Sequence, residues 1–183
     1  MHVCLVLKTY GDALIGASHE AQSEYLKTAI NNIIKSLFNY GEQIKPKCKL
    51  VIINQLLDKK QVNSIYKASN AFVLPSRGEG FCLPAVESLN YEKPVIMPDK
   101  GGHIGFIAPD DPFLIESTMD YCHEICDPLW SSLDTTWVVS SVKSLREKMR
   151  LAYSNKTHTK QIGKNQAKYM RNYLTKDKCV KLF

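Results

Sequence analysis

Long apolar runs are missing from this 183-residue chain, and no stretch approaches the ~20 residues that a membrane span needs. The first residues, Met-His-Val-Cys-Leu-Val-Leu-Lys, do not place a charged segment ahead of a long apolar one, so they do not read as a secretory leader. No Cys-x-x-Cys pair occurs among the six cysteines, Cys4, Cys48, Cys82, Cys122, Cys126 and Cys179. Without a leader, a reduced, cytoplasmic compartment is expected. Cys122, His123 and Cys126 cluster locally, but a zinc site takes about four ligands and no second cluster supplies the rest. They read as loop or core residues, and no metal or cofactor is expected. Internal repeats and low-complexity linkers are also absent.

Acidic residues are scarce in one region. Residues 143–183 hold 12 Lys/Arg and 2 Asp/Glu, a balance of +10; residues 1–142 hold 12 and 16, a balance of −4. The basic end suits phosphate, an anionic membrane surface or nucleic acid. The plainer reading is a solvated helix face. The apolar stripe in that region needs a core, which argues against nucleic acid as the partner. What is present is ordinary: 44% hydrophobic and 23% charged residues describe a soluble globular protein and exclude a mainly disordered one. One domain over 1–183 is expected.

Short, unbroken apolar runs alternate with helical patterns. Val3–Leu7, Leu50–Ile53, Ala71–Leu74, Pro94–Met97 and Phe113–Ile115 read as buried strands. Leu26, Ile30, Ile33 and Leu37 form one stripe of a helix over about 18–39. Asp58 with Gln61 has capping-box spacing ahead of Val62, Ile65 and Tyr66. Pro84 suits the first turn of a helix over about 83–91. Residues 117–136 show no period and read as loop. Helices are expected over 137–183, carrying Val142, Leu145, Met149 and Leu151-Ala152, then Ile162, Tyr169, Met170, Tyr173 and Leu174. The strand–helix alternation predicts an α/β fold: a parallel sheet flanked by helices, its core over 1–116, followed by C-terminal helices. In such sheets ligands sit at the carboxyl ends of strands.

The loop with most chemistry is Pro75-Ser76-Arg77-Gly78-Glu79-Gly80-Phe81-Cys82-Leu83-Pro84-Ala85-Val86-Glu87. Gly78 and Gly80 let the backbone come close to a ligand. The following helix offers free N–H groups and a positive dipole end, a site for phosphate, and Arg77 adds charge beside it. Glu79 in the loop and Glu87 on the helix can accept hydrogen bonds from sugar or ribose hydroxyls. Alone, Glu87 would merely favour the helix start and Glu79 would be a solvated turn residue. The glycines, the proline and the strand–loop–helix order favour a site for a nucleotide linked to a sugar.

From Ala71 to Ile96 the chain reads AFVLPSRGEGFCLPAVESLNYEKPVI. This run resembles the donor-binding segment of family 4 retaining glycosyltransferases of the GT-B fold. Pro75-Ser76, the Glu79-Gly80-Phe81 turn, Leu83-Pro84, Glu87 after seven intervening residues and Pro94-Val95-Ile96 carry the likeness. Asp58–Ser69, Gly101-Gly102 and the stretch from Trp137 to Arg150 extend it more weakly. Cys82 departs from it, standing where the family has a second glycine. The resemblance implies one Rossmann-like GT-B half-domain that starts at its second strand, the first strand and its basic pair lying upstream of Met1. It implies Glu79 as the catalytic position, holding hydroxyls of the transferred sugar rather than acting as a nucleophile. Glu87 would hold the ribose; Gly80 and the amides of Phe81, Cys82 and Leu83 would meet the phosphates; Leu57 would pack the base. A nucleotide-sugar would be the substrate, without a metal, and a separate N-terminal acceptor-binding domain the partner in hexosyl transfer. The alternative is a non-catalytic nucleotide-sugar-binding subunit or an inactive remnant.

Overall fold

The computed structural model describes residues 3–8, 20–21, 24–25, 27–29, 32, 48–53, 55–121, 135–175 and 177. The chain divides into two compact units, Met1–Lys60 and Gln61–Phe183.

In the first unit, β1 (Cys4–Lys8) pairs in parallel with β2 (Lys49–Ile53), Cys4 opposite Lys49 and Lys8 opposite Ile53. Parallel neighbours need a crossover, and the described residues between positions 20 and 32 are helical. The stripe residues Leu26, Ile30, Ile33 and Leu37 lie outside the described residues, as do Cys122, His123, Cys126 and Cys179. Burial on both faces, expected for β1, does not hold. Leu5 and Leu7 are half-buried, whereas Cys4 and Val6 are exposed. A short apolar run does not reveal how many layers pack on it. After β2 a coil over 55–58 leads to α1 (Lys59–Ala68), which begins directly after Asp58 and continues into the second unit.

The second unit is built on a parallel sheet of order β3 (Phe72–Val73), β4 (Val95–Pro98), β5 (Leu114–Ile115). All of β4 is buried, and its side chains serve two cores. Val95 and Met97 pack with Ala85, Leu89, Phe106, Leu114, Ala167 and Met170. Ile96 packs with Phe113, Ile115 and Ile162, and with the half-buried Leu145 and Leu151. Alternate side chains of a strand point to opposite faces, so a strand covered on both must be apolar throughout. Each such side chain stabilises the fold by roughly 1.5–3 kcal/mol. The motif helix α2 (Leu83–Asn90) lies in the first core; α3 (Val142–Ser154) contributes to the second, and α4 (Lys156–Tyr173) to both.

Two local devices finish this unit. Ser141 caps α3 by accepting from the Ser144 amide at 3.2 Å, and Asn155 caps α4 by accepting from the His158 amide at 3.0 Å. Gln166 of α4 is buried against β4. Its Oε1 accepts from the Val95 amide at 2.9 Å, and its Nε2 donates to the Val95 carbonyl at 3.1 Å and to Asp111 at 2.9 Å. The side chain thus supplies a missing rung of the sheet.

Three further expectations need correction. The loop over 117–136 begins as β6 (Ser117–Tyr121), which pairs antiparallel with β7 (Thr136–Ser140). The C-terminal helices therefore start at Val142 rather than 137, and Trp137 lies on a strand. Most of β6 is exposed, so burial imposed no alternation that could signal a strand. Finally, Val142, Met149, Tyr169 and Tyr173 are exposed rather than members of the apolar stripes. The buried face of α4 is instead Ile162, Gly163, Gln166, Ala167 and Met170.

Candidate functional site

The motif loop leaves the carboxyl end of β3, where the Leu74 amide donates to the Ile96 carbonyl at 3.0 Å. Two neighbours then clamp it. On one side the Val138 amide of β7 donates to the Arg77 carbonyl at 2.9 Å. There the Arg77 guanidinium lies over the Trp137 ring, 4.0 Å from its centroid, a cation–π contact. On the other side the Gly102 amide donates to the Glu79 carbonyl at 3.0 Å. A Cβ on Gly102 would fall 1.7 Å from the Gly80 carbonyl oxygen, so only glycine permits this approach. Gly101 reaches the same turn with φ of 125°. Added Cβ atoms on Gly78 or Gly80 would meet nothing within 4 Å, so this part of the loop faces open space.

Glu79 is half-buried between these clamps. The Phe81 ring tilts against Phe106 at 5.3 Å and stays 40% exposed. Cys82 then turns the chain into α2 in the left-handed region, φ 64° and ψ 67°. Glycine is favoured there because a side chain is strained. The Cys82 side chain is buried, with its thiol near the Glu79 carboxylate. Burial pushes that thiol up, the Ala85 amide opposes the shift, and the Glu79 carboxylate adds to it.

Cys82 is also the cap of α2. Its carbonyl accepts from the amides of Ala85 at 3.0 Å and Val86 at 3.4 Å. Among the described residues, none accepts from the amides of Phe81, Cys82 or Leu83. They lie at the positive end of the α2 dipole. The Leu83 side chain is exposed beside them.

Glu87 lies just over a turn into α2, on its exposed face. Its Oε2 accepts from the Tyr66 hydroxyl of α1 at 3.0 Å. Tyr66 is buried, stacked on Tyr91 at 6.2 Å and tilted against Phe72 at 6.3 Å. Burial, the hydrogen bond to Glu87 and the charge of that carboxylate push its phenol above its ordinary value, so it remains a donor. Tyr66 was legible only as one of the apolar residues of its helix. The available signal was chemical: a tyrosine on a buried face brings a hydroxyl that must find a partner.

The structure therefore brings Arg77, Glu79, Gly80, Phe81, Cys82, Leu83 and Glu87 onto one loop and helix start. Leu57 belongs to the first unit, where it is half-buried in the coil after β2. A depression of about 190 Å³ lined by Asn70, Tyr91, Lys93, Lys160 and Lys164 lies past the other end of α2.

These features define a class: a Rossmann-like α/β protein whose parallel strands are flanked by helices, with a glycine-containing loop and two glutamates between a strand end and the helix that follows it. Residues 35–121 match the family model described as Glycosyl transferases group 1. The matched stretch runs through β2, the whole motif and β6, so its likeness to glycosyltransferases covers the site. No curated protein matches the chain significantly. Among the described residues, no helix is long and apolar enough to cross a membrane.

Proposed function

We propose that the chain is the donor-binding half of a retaining glycosyltransferase of family 4, taking a nucleotide-sugar at the Glu79–Glu87 motif. The observation that carries this reading is the family match across residues 35–121, which spans the loop and helix bearing both glutamates. Glu79 holds hydroxyls of the sugar beside the reacting carbon. Glu87 holds the ribose. The amides of Phe81, Cys82 and Leu83 meet the distal phosphate, and Arg77, kept beside the loop by Trp137, adds positive charge. Fixed donors of this kind stabilise the charge that develops on a departing nucleoside diphosphate. The acceptor is brought by a separate domain, and no metal takes part.

The competing reading is a nucleotide-sugar-binding subunit without transfer activity. Cys82 favours it, because a residue other than glycine holds the tight turn in the left-handed region. Calorimetric titration of the folded chain with ADP, GDP, UDP and their sugars tests the shared core of both. Micromolar binding of one nucleotide, abolished by Glu87→Ala, is expected. A folded chain that binds none of them overturns the donor-site reading.

A further inference from the structure

Glu87 is an exposed side chain on an eight-residue helix, yet one of its oxygens is held. The group that holds it belongs to another helix, 21 positions earlier in sequence. That group is itself fixed. The Tyr66 ring is packed between Tyr91 and Phe72, so its hydroxyl has little freedom. Lys67, next to it on α1, holds its ammonium over the Tyr91 ring, 5.6 Å from the centroid.

Building on the donor-site reading, we propose that Tyr66 is a positioning residue. It pins Glu87 through Oε2 so that Oε1 is presented, already ordered, to the hydroxyls of a ribose, and this makes the site selective for ribonucleotides over deoxynucleotides. A free glutamate samples many rotamers and loses them on binding. A glutamate held by a rigid phenol has lost them on folding, so less affinity is spent on ordering. One carboxylate accepts about four hydrogen bonds, so the Tyr66 bond leaves room for two from a ribose. Because the phenol stays protonated, it can only donate to the carboxylate, and the orientation does not switch with pH in the working range.

The experiment titrates the full chain calorimetrically with ADP, GDP and UDP, each beside its 2′,3′-dideoxy counterpart. Wild type, Tyr66→Phe and Glu87→Ala are compared, with thermal melting of each. Phenylalanine keeps the ring and removes only the hydroxyl. The expected result is that Tyr66→Phe weakens the preferred ribonucleotide five- to tenfold and leaves its dideoxy form unchanged. The preference for ribose then shrinks by the same factor while the melting temperature stays near that of wild type. Equal weakening of both forms would make Tyr66 a merely structural residue and overturn the proposal. So would unchanged ribonucleotide affinity in Tyr66→Phe when Glu87→Ala abolishes binding, and in that case the donor-site reading survives. A folded wild type that binds no nucleotide overturns that reading, and the proposal with it.

Discussion

The two glutamates of the motif look alike in sequence, yet the protein treats the two regions around them in opposite ways. Around Glu79 the backbone is fixed. The Arg77 carbonyl is tied to β7, the Glu79 carbonyl to Gly102, and the next turn is set by a left-handed Cys82. Around Glu87 an ordinary helix carries the residue, and what is fixed is the side chain, through Tyr66. In the proposed function, Glu79 faces the reacting centre and needs its whole loop held in place, whereas Glu87 grips a ribose and needs only its carboxylate aimed. The first is expensive to disturb by volume, the second only by chemistry.

The sharpest way to break this contrast is Gly102→Ala. The new methyl would meet backbone, the Gly80 carbonyl at 1.7 Å, and backbone in a clamped loop has nowhere to move. A loss of about 3 kcal/mol is expected, the upper end of ordinary overpacking. Gly105→Ala is the matched control. Its methyl would meet the Tyr173 hydroxyl at 2.4 Å, the far end of a 41% exposed side chain that can swing away. Urea unfolding of the two variants measures the gap. Equal losses would show that the loop is not held as rigidly as its contacts imply.

A smaller effect sharpens the same side. At Cys82 the backbone is left-handed, which costs a non-glycine residue roughly 1–2 kcal/mol. Cys82→Gly should therefore be about 1 kcal/mol more stable than Cys82→Ala, the reverse of the order found inside helices. Both variants lose the thiol, so their difference isolates the backbone. Chemical denaturation of the pair gives the sign directly, and a more stable alanine variant would refute the strain.

What could be read from the sequence, and what could not, follows the same division. The strand, turn and helix of Pro75 to Glu87 are specified by neighbours in sequence: Pro75 ends the strand, Gly80 opens the turn and Pro84 suits the helix start. The unbroken Val95–Met97 run gave away a strand covered on both faces. The contacts that make the motif rigid come from far along the chain and leave no local trace. Tyr66 and Glu87 are 21 positions apart, Gln166 and Val95 are 71 apart, and Val138 reaches Arg77 from a strand that resembled a helix start. A hydrogen-bonding side chain at such a distance is chosen by tertiary packing, and periodicity does not record it. Cys82 is the intermediate case. The resemblance marked a glycine position, and only the backbone angle explains why glycine belongs there.

The smallest expected effect concerns the base of the glycine turn. Asp99, at the end of β4, accepts from the Ser117 hydroxyl and from Lys100 Nζ at 3.0 Å. Lys100 Nζ also donates to the Ser117 carbonyl at 2.6 Å. These contacts join the end of β4 to the start of β6 just before Gly101 and Gly102, and so steady the clamp on Glu79. Partial burial penalises the Asp99 charge, but Ser117 and Lys100 outweigh it and hold the carboxyl below its ordinary value of 3.8. A carboxyl with a lowered folded value adds stability above its unfolded value and loses it as pH falls through the folded one. Asp111 works in the opposite direction. Burial raises its carboxyl despite hydrogen bonds from the Phe113 amide and Gln166, so its contribution is present in acid and fades as pH rises. Thermal melting from pH 5 down to pH 3 should thus fall less steeply in Ser117→Ala than in wild type, and more steeply in Asp111→Asn. Parallel acid profiles in all three would mean that the contacts at Asp99 do not carry the clamp, and that Gly102 holds the loop by shape alone.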